Sequence, residues 1–285
     1  MHMAARGESS EKEYRLSDRN LNYIRRLVGD QTGIVLSDAK REMVYSRLVR
    51  RLRALHMDDF SDYCDYLKRN SEQEMGELIN AITTNLTSFF RENHHFEYLR
   101  DKVLPELMVR KMASRKLRIW SAGCSTGEEP YSIAMQLKES MAAEPDWDCR
   151  ILASDLDTEV LAKGERGIYD LERVSGIGVE RLRRWFLRGK GHNAGRARIA
   201  QELRDIIAFR RINLIENWPV KGPFDIVFCR NVVIYFDKET QRRIFERLAN
   251  IMADNSYLFI GHSESLFKVT DKFVLVGNTI YRKGV

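Results

Sequence analysis

The sequence predicts an α/β fold in which a largely parallel sheet is covered by helices and follows a purely helical region. Short apolar runs of strand length recur after about residue 115, with amphipathic helical patterns between them, and this alternation is typical of parallel sheets. Before about residue 88 only helical patterns occur. Glycines among residues 187–199 indicate a hairpin that interrupts the alternation at about residues 185–203.

The composition agrees with a cytoplasmic enzyme of one large or two ordinary domains. Hydrophobic residues make up 44% of the 285 residues, which suffices for a sizeable core. The four cysteines form no C-x-x-C pair and the six histidines form no H-E-x-x-H pattern, so neither a disulfide framework nor a metal site is expected. No signal peptide and no apolar run of membrane-spanning length is found. The polar residues 1–15 are expected to form a disordered tail.

Successive helices are predicted for the helical region, residues 16–88. Ser17, Ser37 and Asp59 can each cap a helix whose apolar residues share one face. Gly33 ends the first helix, and Ser71–Glu74 has the pattern of a capping box before another.

The second of these helices carries an unusual number of basic side chains. They are Lys40, Arg41, Arg47, Arg50, Arg51 and Arg53. With the formal net charge of +6, they predict attraction to an acidic partner. A nucleic acid, an acidic helical protein and an ordinary solvated helix face all remain open at this point.

A strand, a small-residue turn and a helix start follow one another at Leu117–Ser132. Gly123 and Gly127 allow a sharp turn that a ligand can approach closely, and Pro130 fits the first turn of a helix. This order can hold one end of an adenosine-containing cofactor, although Gly123-x-x-x-Gly127 is not the G-x-G-x-x-G dinucleotide pattern.

Two acids at the start of this helix, Glu128 and Glu129, would repel a pyrophosphate. They favour a cofactor with a cationic end, such as the ammonium and sulfonium groups of S-adenosylmethionine. The alternative is that both acids only complement the positive end of the helix dipole.

An acid follows the next apolar strand. Asp155 comes directly after the run Cys149–Ser154, where a carboxylate can accept hydrogen bonds from both ribose hydroxyls. Its alternative role is that of a helix N-cap, a role that suits Asp157 better.

A third strand, Phe224–Cys229, also ends in polar groups. Arg230 and Asn231 follow it directly, and Tyr235 lies just beyond. Because ligands bind beyond the carboxyl ends of parallel strands, these three side chains are expected to face a pocket. Taken singly, Asn231 could be a turn residue and Tyr235 a core aromatic.

Four features together resemble the chemotaxis receptor glutamate O-methyltransferases, the CheR family. They are Asn85-Leu-Thr-Ser-Phe-Phe-Arg-Glu92, Ser125-Thr-Gly-Glu-Glu-Pro-Tyr-Ser132, the strand that ends at Asp155, and Cys229-Arg-Asn231. The resemblance extends from about Leu16 to Tyr281, and the combination is specific although no single part is. Ser121 and Ser125 replace the acid and the middle glycine of the general methyltransferase motif, a variation that is normal for this family.

The resemblance implies a class I methyltransferase fold, which is a Rossmann-like seven-stranded sheet with an N-terminal all-α domain and a small inserted antiparallel β-subdomain. Residues 16–88 would form the receptor-docking helical domain. Residues 89–285 would form the methyltransferase domain, with the β-subdomain at about residues 185–203.

The resemblance also implies a cofactor and partners. The cofactor is S-adenosylmethionine, the product is S-adenosylhomocysteine, and no metal takes part. The partners are the cytoplasmic helical bundle of a methyl-accepting chemotaxis receptor and, through the β-subdomain of some members, the C-terminal tail peptide of the receptor. Neither nucleic acid binding nor membrane insertion is implied, and the protein is expected in the cytoplasm, recruited to membrane receptor arrays.

The site residues follow from the same resemblance. Arg91 and Tyr235 are expected to act in catalysis, at the methionyl end and the incoming carboxylate. The expected cofactor-binding residues are Asn85, Thr87, Arg91, Glu129, Asp155, Asn213, Leu214, Arg230 and Asn231. Asn85 and Thr87 have a competing role as caps of a helix that begins near Phe89.

Two functions of other classes remain open. A nucleic-acid methyltransferase would use the basic helix, but Cys229–Tyr235 lacks the Asn/Asp-Pro-Pro-Tyr arrangement common in amino-methylating enzymes of that class. A sensor that binds S-adenosylmethionine without methylating a carboxylate would keep the same pocket.

Overall fold

The computed structural model describes residues 13–284. The disordered tail predicted for residues 1–15 therefore lies outside the described residues except at its end. The chain divides into two compact units, of which residues 13–31 and 35–82 form the first and residues 32–34 and 83–284 form the second. Segment 83–88, which was assigned above to the helical domain, clusters with the second unit.

Helices are the only regular secondary structure in the described part of the first unit. Its helices are α1 (Asp18–Thr32), α2 (Arg41–Ala54), α3 (Phe60–Arg69) and α4 (Ser71–Ile82), and a 3-10 turn at Asp38–Lys40 precedes α2. Apolar residues at helical spacing, such as Leu21, Ile24 and Val28 on α1, are buried. These apolar faces form the core of the unit.

Two of the predicted caps are confirmed. The Ser17 hydroxyl accepts a hydrogen bond from the Asn20 N–H at 3.2 Å, and the Asp59 carboxylate accepts one from the Ser61 N–H at 2.6 Å. Ser37 makes no side-chain capping bond, so that prediction is wrong.

The capping box predicted at Ser71–Glu74 is also wrong. α4 begins at Ser71 itself, and Glu74 is only 1% exposed. Its carboxylate accepts hydrogen bonds from Arg51 Nε at 2.6 Å and from the Tyr63 hydroxyl at 3.0 Å. Glu74, which the local pattern assigns to the helix end, therefore forms an ion pair with Arg51 inside the unit.

In the second unit strands and helices alternate over most of the chain. The strands are β1 (Lys116–Ala122), β2 (Asp148–Asp155), β3 (Ile168–Asp170), β4 (Phe186–Arg188), β5 (Arg196–Ile199), β6 (Ile207–Arg211), β7 (Phe224–Cys229), β8 (Met252–Ile260), β9 (Phe273–Gly277) and β10 (Ile280–Lys283). The helices are α5 (His94–Tyr98), α6 (Leu104–Arg110), α7 (Glu128–Ser140), α8 (Thr158–Arg166), α9 (Leu171–Val174), α10 (Val179–Trp185), α11 (Gln201–Arg204) and α12 (Lys238–Ile251). None of the helices in residues 13–284 is long and apolar enough to cross a membrane.

Within the described residues, seven strands form one sheet in the order β6-β2-β1-β7-β8-β10-β9. Neighbouring strands are parallel except for β10, which is antiparallel to both β8 and β9. The predicted seven-stranded class I methyltransferase fold is therefore confirmed. Because β2 and β7 lie on opposite sides of β1, the carboxyl ends of these three strands border a crevice of the kind that binds ligands.

Both faces of the sheet are covered. Along β1, Ile119 packs into one apolar core and Trp120 into the other, since successive side chains of a strand point to opposite faces. Trp120 is fully buried, and its ring centre lies 5.0 Å from that of Trp218. Truncating such a tryptophan to alanine costs roughly 3–5 kcal/mol of folding free energy, so packing holds the central strands firmly.

The predicted inserted hairpin is confirmed, since β4 and β5 pair antiparallel. A third strand, β3, is absent from the sequence prediction and pairs with the other side of β5. Trp185 and Ile199 are buried in the core that the insertion shares with the main sheet, whereas Arg196 and Arg198 are exposed.

Candidate active site

The glycine turn after β1 lies at the centre of the crevice. Gly123 and Gly127 have φ values of +84° and +95°, a left-handed conformation that favours glycine. The N–H groups of Gly123 and Cys124 both donate to the Ser154 carbonyl, at 2.7 and 2.9 Å. A Cβ atom at Gly123 would lie 2.2 Å from Val232 Cγ2. The turn after β1 therefore packs directly against the loop after β7, and only glycine fits.

Asp155 ends β2 beside this turn. Its Oδ2 accepts the Ser125 N–H at 2.8 Å, and its Oδ1 accepts the Asp157 N–H at 3.1 Å. Burial raises the pKa of this carboxyl, while the two backbone hydrogen bonds oppose the rise. The N-cap of α8 is Asp157, whose Oδ1 accepts the Glu159 N–H at 2.9 Å. The N-cap alternative for Asp155 is thus wrong, and ribose binding stays a prediction.

Asn85 is held at the same turn. Its Nδ2 donates to Asp157 Oδ2 at 2.8 Å, and its carbonyl accepts the Ser125 hydroxyl at 3.1 Å. Thr87 is half-buried in the same segment. The alternative role as caps of a helix near Phe89 is wrong, because the next helix begins only at His94.

The two acids at the start of α7 point to different partners. Glu128 is fully buried, and its carboxylate accepts hydrogen bonds from Arg173 and from the Thr126 hydroxyl at 2.6 Å. Glu129 accepts the Ser121 hydroxyl at 2.7 Å and Arg230 Nη1 at 3.0 Å. Both acids thus have specific partners in addition to any effect on the helix dipole.

Burial raises the pKa of Glu129, although Arg230 and the Ser121 hydroxyl oppose the rise. A half-buried carboxylate beside the glycine turn suits the cationic methionyl end of the expected cofactor. Glu128 instead binds Arg173 and Thr126 inside the fold.

Arg230 connects three segments of the site and is only 5% exposed. Its guanidinium pairs with Glu129 on one side and with Glu92 on the other, at 3.0 and 3.2 Å, and it also donates to the Arg91 carbonyl. Burial alone would raise the pKa of Glu92, but the hydrogen bond from His262 and the charge of Arg230 hold that pKa at about 2. Glu92 therefore remains ionised at neutral pH.

Arg230 connects the two expected catalytic residues, because it binds the backbone at Arg91 and begins the loop that carries Tyr235. Arg91 Nη1 donates to the Leu86 carbonyl at 2.8 Å, and the Arg91 carbonyl is the acceptor for Arg230. Tyr235 is not on a strand end, since β7 stops at Cys229 and Tyr235 closes a short 3-10 helix, Val233–Tyr235. The catalytic roles of both residues stay predictions.

Asn213 and Leu214 lie just past the end of β6, next to β2. Both side chains are buried. Asn213 Nδ2 donates to Glu216 Oε1 at 3.0 Å, and Leu214 packs into the apolar core that also contains Trp120. Contact of Asn213 and Leu214 with an adenine stays a prediction from the resemblance.

Two acids of this site were given no role by sequence reasoning. Glu92 directly follows Arg91 in the motif Asn85–Glu92, and this position beside an expected site residue is the sequence feature that indicates a role for it. Glu264 lies beyond β8, and its carboxylate binds backbone N–H groups of the loop after β7. In residues 13–284 no three His, Cys, Asp or Glu side chains form a group that could hold a metal ion.

Comparisons with known proteins identify the family of this chain. The family described as CheR methyltransferase, SAM binding domain, matches residues 85–282, and the family described as CheR methyltransferase, all-alpha domain, matches residues 19–83. The chain is 45% identical over 269 residues to the chemotaxis protein methyltransferases of Salmonella typhimurium and Escherichia coli, which covers 93% of this chain and 90% and 91% of those relatives. It is 44% identical over 272 residues to chemotaxis protein methyltransferase 2 of Pseudomonas aeruginosa, which covers 95% of both chains. With its S-adenosylmethionine-binding domain and its all-α domain, the chain belongs to the CheR methyltransferase family.

Proposed function

We propose that this enzyme is a protein-glutamate O-methyltransferase. It transfers a methyl group from S-adenosylmethionine to glutamate side chains of methyl-accepting chemotaxis receptors, and the methyl esters tune signalling adaptation. The observation that carries the proposal is the ionic arrangement at the sheet edge, where Arg230 joins Glu129 of the cofactor side to the segment that carries Arg91. The relatives named as chemotaxis protein methyltransferases support it.

The donor set at the crevice fits S-adenosylmethionine. The Asp155 carboxylate accepts backbone N–H groups, among them those of Ser125 and Asp157, and keeps acceptor capacity for a ribose hydroxyl. Glu129 offers negative charge to an ammonium or sulfonium group. The residues that would hold the cofactor are Asn85, Thr87, Arg91, Glu129, Asp155, Asn213, Leu214, Arg230 and Asn231. When bound, the cofactor supplies a methyl group that its sulfonium already activates, so the transfer requires no metal.

The protein's own contribution is positioning and partial desolvation. A glutamate carboxylate is ionised at neutral pH, since its reference pKa is about 4.3, and therefore no strong general base is needed. Tyr235 would orient the incoming carboxylate by hydrogen bonding. An arginine that paired tightly with that carboxylate would weaken it as a nucleophile. For that reason we assign Arg91, whose guanidinium donates to the Leu86 carbonyl, chiefly to holding the cofactor.

Receptor docking is assigned to α2. The structure divides its basic residues into two groups, because Arg41, Arg47 and Arg51 donate to groups inside the first unit. Arg50 and Arg53 are exposed, although Arg53 also pairs with Glu13. We propose that this exposed part of α2 meets the acidic helical bundle of the receptor.

The small sheet offers a second contact. Its outer strands, β3 and β4, each have one unpaired edge within the described residues, and such an edge can accept an added peptide strand. We include the C-terminal tail of the receptor as its ligand and place the enzyme in the cytoplasm at receptor arrays.

The test uses methyl-labelled S-adenosylmethionine and a purified cytoplasmic receptor fragment. Methyl esters should release the label as methanol in base, and Glu→Ala substitution of the acceptor residues in the receptor should abolish its incorporation. Tight cofactor binding without label in several receptors would overturn the proposal and favour a sensor. Transfer of label to RNA in place of receptor would favour the nucleic-acid enzyme.

A further inference from the structure

A buried carboxylate outside the quoted motifs holds the loop that follows β7. Glu264 lies beyond the end of β8, and its side chain is almost fully enclosed, with 6% of the residue exposed. Its N–H donates to the Gly261 carbonyl at 2.9 Å, which folds residues 261–264 into a turn. This turn directs the carboxylate at the neighbouring loop of the parallel sheet.

The carboxylate accepts four backbone N–H groups. Oε2 accepts those of Asn231 and Gly261, at 2.9 and 2.5 Å. Oε1 accepts those of Val232 and Val233, both at 3.0 Å. Within residues 13–284 no lysine, arginine or histidine forms an ion pair with Glu264, so its charge is balanced by backbone dipoles.

The loop needs such an acceptor because of its backbone conformation. Asn231 is left-handed with φ +58°, and Val232 follows with φ −116° and ψ −46°. Successive residues of opposite hand turn their N–H groups into a common concavity that binds an anion. Val232 is also the N-cap of the 3-10 helix Val233–Tyr235 and makes no side-chain capping bond. Glu264 supplies from a distant segment the acceptor that the loop lacks.

This loop carries three of the residues assigned to the reaction, namely Arg230, Asn231 and Tyr235. Its N–H groups face Glu264 on one side, and the Arg230 side chain reaches Glu129 on the other. A shift of the loop would move Tyr235 relative to the cofactor-binding turn, which Val232 contacts directly.

We infer that Glu264 is a positioning residue for methyl transfer, which fixes the loop from Arg230 to Tyr235 by binding its consecutive N–H groups. The expected fall in kcat rests on the proposed function. The expected rise in the Kd for S-adenosylhomocysteine rests on cofactor binding alone. The site thus extends to a buried residue that is assigned no contact with the cofactor or the acceptor.

The test is the near-isosteric change Glu264→Gln. An amide has one acceptor oxygen and turns an NH₂ group toward backbone donors, so some of the four N–H groups lose their partner. We expect kcat to fall about tenfold or more and the Kd for S-adenosylhomocysteine to rise about fivefold, on the scale of one or two lost charge-assisted hydrogen bonds. In a Tyr235→Phe background the further fall in kcat should be smaller, because residues that act as a unit are not additive.

Asp225→Asn is the matched control. Asp225 is fully buried and lies near the opposite end of β7, where it accepts the Arg118 N–H at 2.9 Å and forms an ion pair with Lys111. Asp225→Asn should lower stability, because it neutralises a buried carboxylate that binds a backbone N–H and Lys111, while it leaves kcat and Kd within about twofold of wild type. A merely structural Glu264 would behave as Asp225 does.

The outcomes are distinct. A folded Glu264→Gln protein with wild-type kcat and Kd overturns the inference. If Glu264→Gln does not fold, the test uses Glu264→Asp, which keeps the charge but shortens the side chain by one methylene. Wild-type kcat and Kd in Glu264→Asp overturn the inference, and a partial loss of kcat supports it. If the wild type methylates no receptor, the proposed function fails, and the Kd comparison alone then supports or overturns the loop assignment.

Discussion

Asp155 illustrates how one side chain can serve both the backbone and a ligand. It binds the N–H groups of Ser125 and Asp157 and so ties the glycine turn to the end of β2. The carboxylate still has acceptor capacity. A residue of this kind shapes the pocket and also contributes to its chemistry.

Asp155→Ala should weaken S-adenosylhomocysteine binding by about tenfold or more, because hydrogen bonds to a charged acceptor contribute about 1.5–3 kcal/mol. Isothermal titration calorimetry measures the change. Asp170→Ala, on an exposed position of β3, should leave the affinity unchanged. Equal affinity of wild type and Asp155→Ala would remove the ribose assignment.

Tyr235→Phe should have the opposite kinetic pattern. Removing the hydroxyl takes away a hydrogen bond to the incoming carboxylate, so kcat should fall roughly 10- to 100-fold. Cofactor affinity should change by less than about twofold, because the hydroxyl is assigned to the acceptor. Single-turnover methylation beside calorimetry separates the two, and a wild-type kcat would refute the role.

At this scale the sequence identifies residues better than it identifies their partners. The strand-end pattern locates Asp155 and Arg230, and Asp157 caps α8 as predicted. The pairing of Arg230 with Glu92 joins residues 138 positions apart (230 − 92), and only the order of the strands brings them together. Glu264 escapes prediction for the same reason.

Among the elements, α2 differs most from its sequence pattern. A helix with six basic residues in and just before it looks uniformly available to an acidic partner, but tertiary contacts take several of them. Arg51 is bound to the buried Glu74, whereas Arg50 and Arg53 are exposed. The docking assignment can therefore be tested without disturbing the core of the helical unit.

The double change Arg50→Ala and Arg53→Ala should raise the KM for a receptor fragment and leave cofactor affinity unchanged. The increase should shrink as salt is added, since exposed charges are screened. Unchanged receptor kinetics at low salt would refute the docking role.

Arg51→Ala serves as the contrasting variant. It should lower the free energy of unfolding by about 3 kcal/mol, because it leaves the Glu74 carboxylate buried without its charged partner. Urea unfolding followed by circular dichroism measures this, and a fully stable variant would contradict the ion pair.

The short elements show where local patterns stop being informative. The Ser71–Glu74 pattern is correct for a capping box, but Arg51 and Tyr63 offer Glu74 a buried site. β3 has three residues, and its strand character comes from pairing with β5. Longer elements such as α12, with its cap at Asp237, follow the sequence closely.

For the whole molecule, the parallel sheet gathers the site from distant segments. Residues that follow β1, β2, β6 and β7 reach one edge because parallel strands all end there. This is why the motifs predict the place of the site. The charge balance within it depends on burial, which no linear pattern reports.

Burial also sets the acid stability of the fold. The pKa of the fully buried His95 is lowered to about 3 by burial and by the charge of Arg230. In the unfolded chain this imidazole protonates near pH 6.5, so folding stability is full above that pH and declines as the pH falls toward 3. Between pH 7.5 and 5 the loss should be roughly 2 kcal/mol.

His95→Gln should remove this part of the decline, as urea unfolding at the two pH values would measure. The exposed His192→Gln is the control. Glu129, Asp155 and Glu264 have raised pKa values and contribute with the opposite sign, so the comparison is between variants and not of absolute stability. An unchanged pH dependence in His95→Gln would contradict a neutral buried imidazole.

One face of the inserted three-stranded sheet is buried in the core, and the residues on its other face are exposed and can be substituted. Ala197 and Ile199 of β5 face the common core, whereas Arg196 and Arg198, which alternate with them, face solvent. Selection can therefore rewrite the outward residues without disturbing the methyltransferase core. An engineer seeking new partner specificity would randomise those positions and keep Trp185 and Ile199, because these two residues belong to the core of the main sheet and the insertion cannot be removed without disrupting it.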